Sequence, residues 1–141
     1  RWKDWVLIRN GYPDRQNLCM ESDPTYPAGR ELWAMETAGQ LQPAQRDIFL
    51  KPRPALELYD LRNDPHQLRN LIANKKHASM LSALVRVLDR WAEDTGDTVP
   101  KNPTNDRQDA HGKRTKNHKR GTMPGEERGA TKINHPGPIK E

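Results

Sequence analysis

Between Lys75 and Thr95 the large apolar residues are spaced so regularly that the rest of the chain has to be arranged around them. Leu81, Leu84, Val85, Leu88, Trp91 and Ala92 recur at steps of three and four, which on a 3.6-residue period places them on one stripe of an α-helix. Gly96 follows directly and predicts the C-terminal stop, because glycine enters the left-handed region at no steric cost. Arg86, Asp89, Arg90 and Glu93 fall on the opposite side. There Arg86 with Asp89, or Arg90 with Glu93, can pair for about 0.2–0.5 kcal/mol. A helix with a single apolar stripe must bury it against another element, and the chain has to supply that element elsewhere.

Two short runs qualify. Trp5-Val6-Leu7-Ile8 is apolar and partly β-branched and leads into the turn signal Asn10-Gly11, which predicts a strand from Trp2 to Arg9. Leu56, Leu58 and Leu61 flank Tyr59 in a second strand, which ends at Asn63-Asp64-Pro65, where the chain should reverse. Tyr59 and Leu61 are expected beneath the helix stripe, with Asp64 and Asn70 satisfying backbone groups in the turn. Between the strands, Tyr12-Pro13-Asp14 opens a polar loop. A helix begins after Pro27, carries Leu32, Met35 and Glu36 on one side, and closes at Gly39. A second short helix is predicted from Pro43 to Phe49, with proline in the first turn, where its missing N–H costs nothing. Lys51-Pro52-Arg53-Pro54 lacks two backbone donors and reads as an extended connector. The fold class that follows is α+β: a short antiparallel sheet packed against one long C-terminal helix, with an irregular basic tail.

Charge divides the chain. Arg1 to Pro100 carries 14 Lys and Arg against 14 Asp and Glu, and residues 101–141 carry 10 against 5, so the net charge of +5 resides in the tail. We therefore expect two regions, a folded 1–100 and a Pro/Gly-rich basic 101–141 in which Met123, Ile133 and Ile139 are the main large apolar residues. A core drawn from about 100 residues is marginal unless it packs on a neighbour. Together with an opening on Arg1 rather than Met, this makes the sequence read as a piece of something larger. Cys19 is the only cysteine, which excludes an intrachain disulfide, a zinc-finger spacing and a Cys-x-x-Cys pair. No run of about 18 apolar residues is present that could span a bilayer as a helix.

The segment Glu57-Leu58-Tyr59-Asp60-Leu61-Arg62-Asn63-Asp64-Pro65-His66-Gln67-Leu68-Arg69-Asn70-Leu71 resembles a strand-turn motif near the C-terminus of sulfatases. That motif is written Glu-Leu-Tyr-Asp-Leu, two variable residues, Asp-Pro, one variable residue, Glu, two variable residues, Asn-Leu. Gln67 stands where the motif has Glu, which retains length and an acceptor oxygen but removes the charge. Ile8-Arg9-Asn10 with Tyr12-Pro13-Asp14-Arg15, and Asp89-Arg90-Trp91 with Glu93-Asp94-Thr95-Gly96-Asp97, are similar to flanking segments of sulfamidase-type, heparan N-sulfatase-like members. Met123-Pro124-Gly125-Glu126 and Gly129-Ala130-Thr131 are similar to extensions on bacterial members.

The resemblance implies a large α/β core, missing here, followed by the smaller subdomain that this chain matches. It also implies catalysis by a hydrated formylglycine, made from Cys or Ser in a Cys/Ser-x-Pro-Ser-Arg motif, beside a calcium ion. Cys19-Met20-Glu21-Ser22-Asp23 does not fit that motif, and Asp60, Asp64, Asp94, Asp97, Asp106 and Asp109 lack calcium-loop spacing. Formylglycine and calcium are accordingly expected in the missing core, and no catalytic or metal residue is assigned in this chain. Tyr12, Arg15 and Arg53 are the loop residues placed at a substrate pocket rim. The expected function is that of a C-terminal sulfatase fragment, supporting a core that hydrolyses a sulfuric ester or sulfamate of a sulfated saccharide, and inactive alone. Its expected partners are that core and the saccharide, with no membrane. Full-length members are usually periplasmic or secreted. The alternative is a small basic module that binds nucleic acid or another polyanion through Lys113-Arg114-Thr115-Lys116-Asn117-His118-Lys119-Arg120. Nucleic acid is the weaker partner, since no aromatic residue interrupts that run. His111 and His118 have no partner cluster in the sequence and read as solvated.

Overall fold

A computed structural model describes residues 1–16, 23–104 and 120–130 of the protein. In chain order the regular elements are strand β1 (Trp5–Arg9), helices α1 (Pro27–Thr37) and α2 (Pro43–Arg46), strand β2 (Leu56–Asp60) and helix α3 (Ala78–Thr95). Short 3-10 turns lie at Asp47–Phe49, Lys75–His77 and Glu126–Arg128. The chain divides into two units, one built from Arg1–Gly11, Ala55–Pro103 and residues 121–130, the other chiefly from Tyr12–Pro54.

The first unit is a two-stranded antiparallel ladder with a helix on one face. Leu7 stands opposite Leu58, with Trp5 opposite Asp60 and Arg9 opposite Leu56. Bonds at the two ends fix the phase of the ladder: Leu61 N–H donates to the Asp4 carbonyl at 2.7 Å, and Asn10 N–H to the Ala55 carbonyl at 3.0 Å. Hydrogen-bonded pairs alternate with non-bonded ones, so Val6 with Tyr59 and Ile8 with Glu57 exchange bonds, whereas Leu7 and Leu58 do not. Side chains alternate as well. Trp5, Leu7 and Arg9 share a face with Leu56, Leu58 and Asp60, and Val6, Ile8 and Asn10 share the other with Glu57 and Tyr59.

Helix α3 lies over the first of these faces. Its Asp89 accepts from the Arg9 guanidinium at 2.5 Å, and the His77 ring, one residue before the helix, is 5.1 Å from the Trp5 ring. Leu84 and Leu58 are buried, Leu58 completely. Burying one such leucine contributes about 1.5–3 kcal/mol. The expected helix stripe is thus real, but two expectations around it are corrected. Tyr59 occupies the face opposite Leu58, because the two-residue period of a strand separates neighbours, so it does not lie beneath α3. Asp89 is engaged by Arg9 rather than by Arg86, and Arg90 pairs with Asp94 at 3.7 Å rather than with Glu93.

Strand β1 starts later than predicted. Trp2 and Trp5 exchange both backbone bonds at 2.9 Å across a two-residue turn in which Lys3 takes φ 52°, so the chain doubles back before the strand begins. At the other end of α3, Gly96 has φ 68° as expected of a helix stop. Residues 120–130, expected to be irregular, carry a defined turn. The Thr98 hydroxyl donates to Glu127 at 2.6 Å and accepts from Gly125 N–H at 2.9 Å, and Thr122 N–H donates to the Asn102 carbonyl at 2.7 Å. Gly125 has φ 69°, and a Cβ there would stand 2.5 Å from the Gly96 carbonyl oxygen. Ile133, Ile139 and Thr131 lie outside the described residues.

In the second unit, Pro27 and Pro43 open α1 and α2 as expected. The second helix keeps α geometry only to Arg46, and Asp47–Phe49 tightens into a 3-10 turn. The Trp33 and Phe49 rings meet edge to face at 4.9 Å, and Leu41 and Phe49 are buried. The Lys51-Pro52 bond in the connector is cis.

Gln67 takes φ 55°, in the left-handed region. A side chain there costs about 1–2 kcal/mol, and glycine would forfeit about 0.4–1 kcal/mol of that relief through unfolded-state entropy. Gln67→Gly should therefore raise the urea midpoint by an amount equivalent to about 0.5–1 kcal/mol. A lowered midpoint would mean that the glutamine side chain holds the turn more strongly than its backbone strains it.

Candidate functional site

The strand-turn segment is organised by the central pair of the ladder, which exchanges no hydrogen bonds. Because Leu7 and Leu58 are such a pair, the N–H and C=O of Leu58 point away from β1, toward the open edge of β2. Both are met there. Asn70 Oδ1 accepts from Leu58 N–H at 3.0 Å and from Ile72 N–H at 3.0 Å, and Leu71 N–H donates to the Leu58 carbonyl at 2.8 Å. One side-chain amide and one backbone amide take the place of a third strand.

Two carboxylates shape the chain between Asp60 and Asn70. Asp64 accepts from Leu68 N–H at 3.0 Å and Arg69 N–H at 2.8 Å, and these two backbone bonds hold its carboxyl below the usual carboxylate range. Asp60 accepts from Asn63 Nδ2 at 2.6 Å and Arg62 N–H at 3.1 Å, and its carboxyl is lowered first by Asn63 and then by those backbone donors. Each oxygen is engaged in keeping the turn closed, which leaves the pair poorly suited to metal binding. Among the described residues no three His, Cys, Asp or Glu side chains converge on a point that could hold a cation. Asp94 is paired with Arg90. Cys19, Asp106, Asp109, His111, His118 and the basic run through Lys119 lie outside the described residues. The described residues therefore do not present a calcium-formylglycine centre.

The other face of the ladder holds a group that the sequence did not single out. Glu57 is buried although its side chain is polar, with Oε1 accepting from Asn10 Nδ2 at 2.6 Å and Oε2 accepting from the Tyr59 hydroxyl. A buried carboxylate held at both oxygens is a fixed acceptor that locks β1 to β2. The available signal was its position within Leu56-Glu57-Leu58-Tyr59, inside a strand that proves buried on both faces.

Tyr12, Arg15 and Arg53, the residues expected at a pocket rim, all fall in the second unit. Tyr12 and Arg15 close one turn, Arg15 N–H donating to the Tyr12 carbonyl at 3.1 Å, and the Arg15 guanidinium lies 4.8 Å from the Tyr12 ring centre. Arg53 joins them through its backbone, its N–H donating to the Pro13 carbonyl at 2.7 Å. Its side chain turns elsewhere and is buried, bonding the Asp47 carbonyl at 2.6 Å and both Asp47 carboxylate oxygens at 3.0 and 3.2 Å. That arrangement makes Arg53 a clasp between the connector and the 3-10 turn.

Compared with known proteins, the chain is 33% identical over 98 residues, 69% of its length, to an ulvan-active sulfatase of Formosa agariphila. The match covers 16% of that relative's own length. This makes the sequence sulfatase-related, without distinguishing a sulfamidase-like subtype. No protein-family model matches the chain, and no solved structure matches it.

Asn70→Ala should cost about 2–3 kcal/mol, because it strands the buried Leu58 N–H, whereas Asn70→Asp, which keeps an acceptor, should cost less than half as much. Equal losses in chemical denaturation would show that the Asn70 acceptor is not what closes β2. The lowered carboxyls of Asp60 and Asp64 bind protons more weakly folded than unfolded. Their stabilisation is complete above the unfolded-state value of about pH 4 and is lost as pH falls through the lower folded values. Melting curves should therefore decline below about pH 4, and Asp64→Asn should flatten that decline.

Proposed function

We propose that this chain is the C-terminal subdomain of a formylglycine-dependent sulfatase that acts on a sulfated saccharide, and that it supports the catalytic core structurally. The observation that carries this reading is the agreement between motif and geometry. The motif residues Asp60, Asp64, Asn70 and Leu71 close a turn and a strand edge, which suits a supporting role. The identity to an ulvan-active sulfatase, which extends well beyond the motif, supports the same reading. On this account nucleophile and cation belong to the core. Tyr12 and Arg15 are the side chains on this chain best placed by type to touch a sulfated ligand, while Arg53 maintains the loop that carries them. A sulfamidase-like substrate is the narrower form of the proposal, motivated by the Tyr12-Pro13-Asp14-Arg15 segment.

Sequencing the transcript upstream of the Arg1 codon tests it. An in-frame extension that encodes Cys/Ser-x-Pro-Ser-Arg is the expected result, and a start codon directly before Arg1 would overturn the reading. The purified chain should release no sulfate from 4-nitrophenyl sulfate. Turnover that survives Cys19→Ala would require a mechanism that these residues do not supply.

A further inference from the structure

We infer that Trp2, Trp5 and His77, with the ammonium groups of Lys3, Lys75 and Lys76, form a surface that binds a sulfated polysaccharide. The choice of polymer rests on the sulfatase reading above; the surface itself rests on geometry. Trp2 and Trp5 exchange both backbone bonds, and residues paired in this way project their side chains to the same side. The Trp5 ring meets the His77 ring at 5.1 Å, tilted by 55°, which brings the turn Lys75–His77 to that side. Trp2 is 36% exposed, and Lys3 Nζ stands 4.9 Å from its ring centre. Lys75 and Lys76 are exposed, and neither has a carboxylate partner among the described residues. The acid nearest in sequence, Asp4, is already held by Arg62 at 2.8 Å.

The combination is selective in kind. Indole faces pack against the C–H faces of sugar rings, and flanking ammonium groups attract sulfate esters, strongly enough to matter within about 8–10 Å at ordinary salt. The basic run Lys113–Arg120 offers charge without aromatic residues, so it cannot supply the first of these contacts. A single-stranded nucleic acid could use both, through base stacking and phosphate contacts, and it is the outcome that the test must separate.

Calorimetric titration of the full chain with dextran sulfate, dextran and a thymidine oligonucleotide, at about 0.15 M salt, decides the matter. Dextran sulfate should bind and dextran should not. Trp2→Ala and the double variant Lys75→Ser/Lys76→Ser should each weaken dextran sulfate binding by about fivefold or more without lowering the melting midpoint. Wild-type affinity in either variant, no binding of dextran sulfate, equal binding of dextran, or tighter binding of the oligonucleotide would each overturn the proposal. The transcript result separates the two readings. A sulfatase core upstream with unaltered binding by Trp2→Ala removes only this surface, whereas the fivefold loss with no core upstream removes only the sulfatase reading.

Discussion

The ladder of β1 and β2 depends on how the chain satisfies two backbone groups, the N–H and C=O of Leu58. They belong to Leu58, whose side chain is the largest fully buried one among the described residues, and the phase of the ladder directs them away from β1. A buried amide left without a partner costs about 1–3 kcal/mol, which is a large fraction of what a small core can supply. Asn70 and Leu71 remove that cost. In doing so they fix where the chain must be twelve and thirteen residues after Leu58, and so set the start of the approach to α3. The carboxylates of Asp60 and Asp64 serve the same end by holding the intervening loop to one path. What looks in sequence like a string of polar residues is a set of acceptors, each matched to a particular N–H.

Much of this was legible beforehand, and the reasons differ by element. Helix α3 was readable because six apolar residues keep one period over three turns and a glycine follows them. The starts of α1 and α2 were readable because proline marks both. The strands were found by composition, but their faces were not. Tyr59 was expected beneath the helix on hydrophobic grounds alone, whereas the ladder places it with Glu57 and Asn10 on the opposite side. No periodicity in the sequence reveals which face of a strand buried on both sides will meet the helix.

Glu57 and Arg53 were hidden for a related reason. Charged residues are assigned to the surface by default, and only three-dimensional neighbours expose the exceptions. Asn10 lies 47 residues from Glu57, and nothing local links them. Arg53 is a second case: a cation between two prolines reads as solvent-facing, whereas its guanidinium is buried against Asp47, six residues earlier. The pairings of α3 failed similarly. Helical spacing proposed partners for Asp89 within the helix, but Arg9 reaches it from the sheet.

The closure of β2 by a side chain also limits how this sheet can grow. An ordinary edge strand offers a row of unpaired amides to any extended segment, whether from a neighbouring domain or from another copy of the chain. At Leu58 that row is interrupted, and the Asn70 side chain occupies the position a pairing backbone would need. Strand addition and edge-to-edge self-association through β2 are thereby blocked at its centre. Any enlargement of the sheet has to proceed from β1.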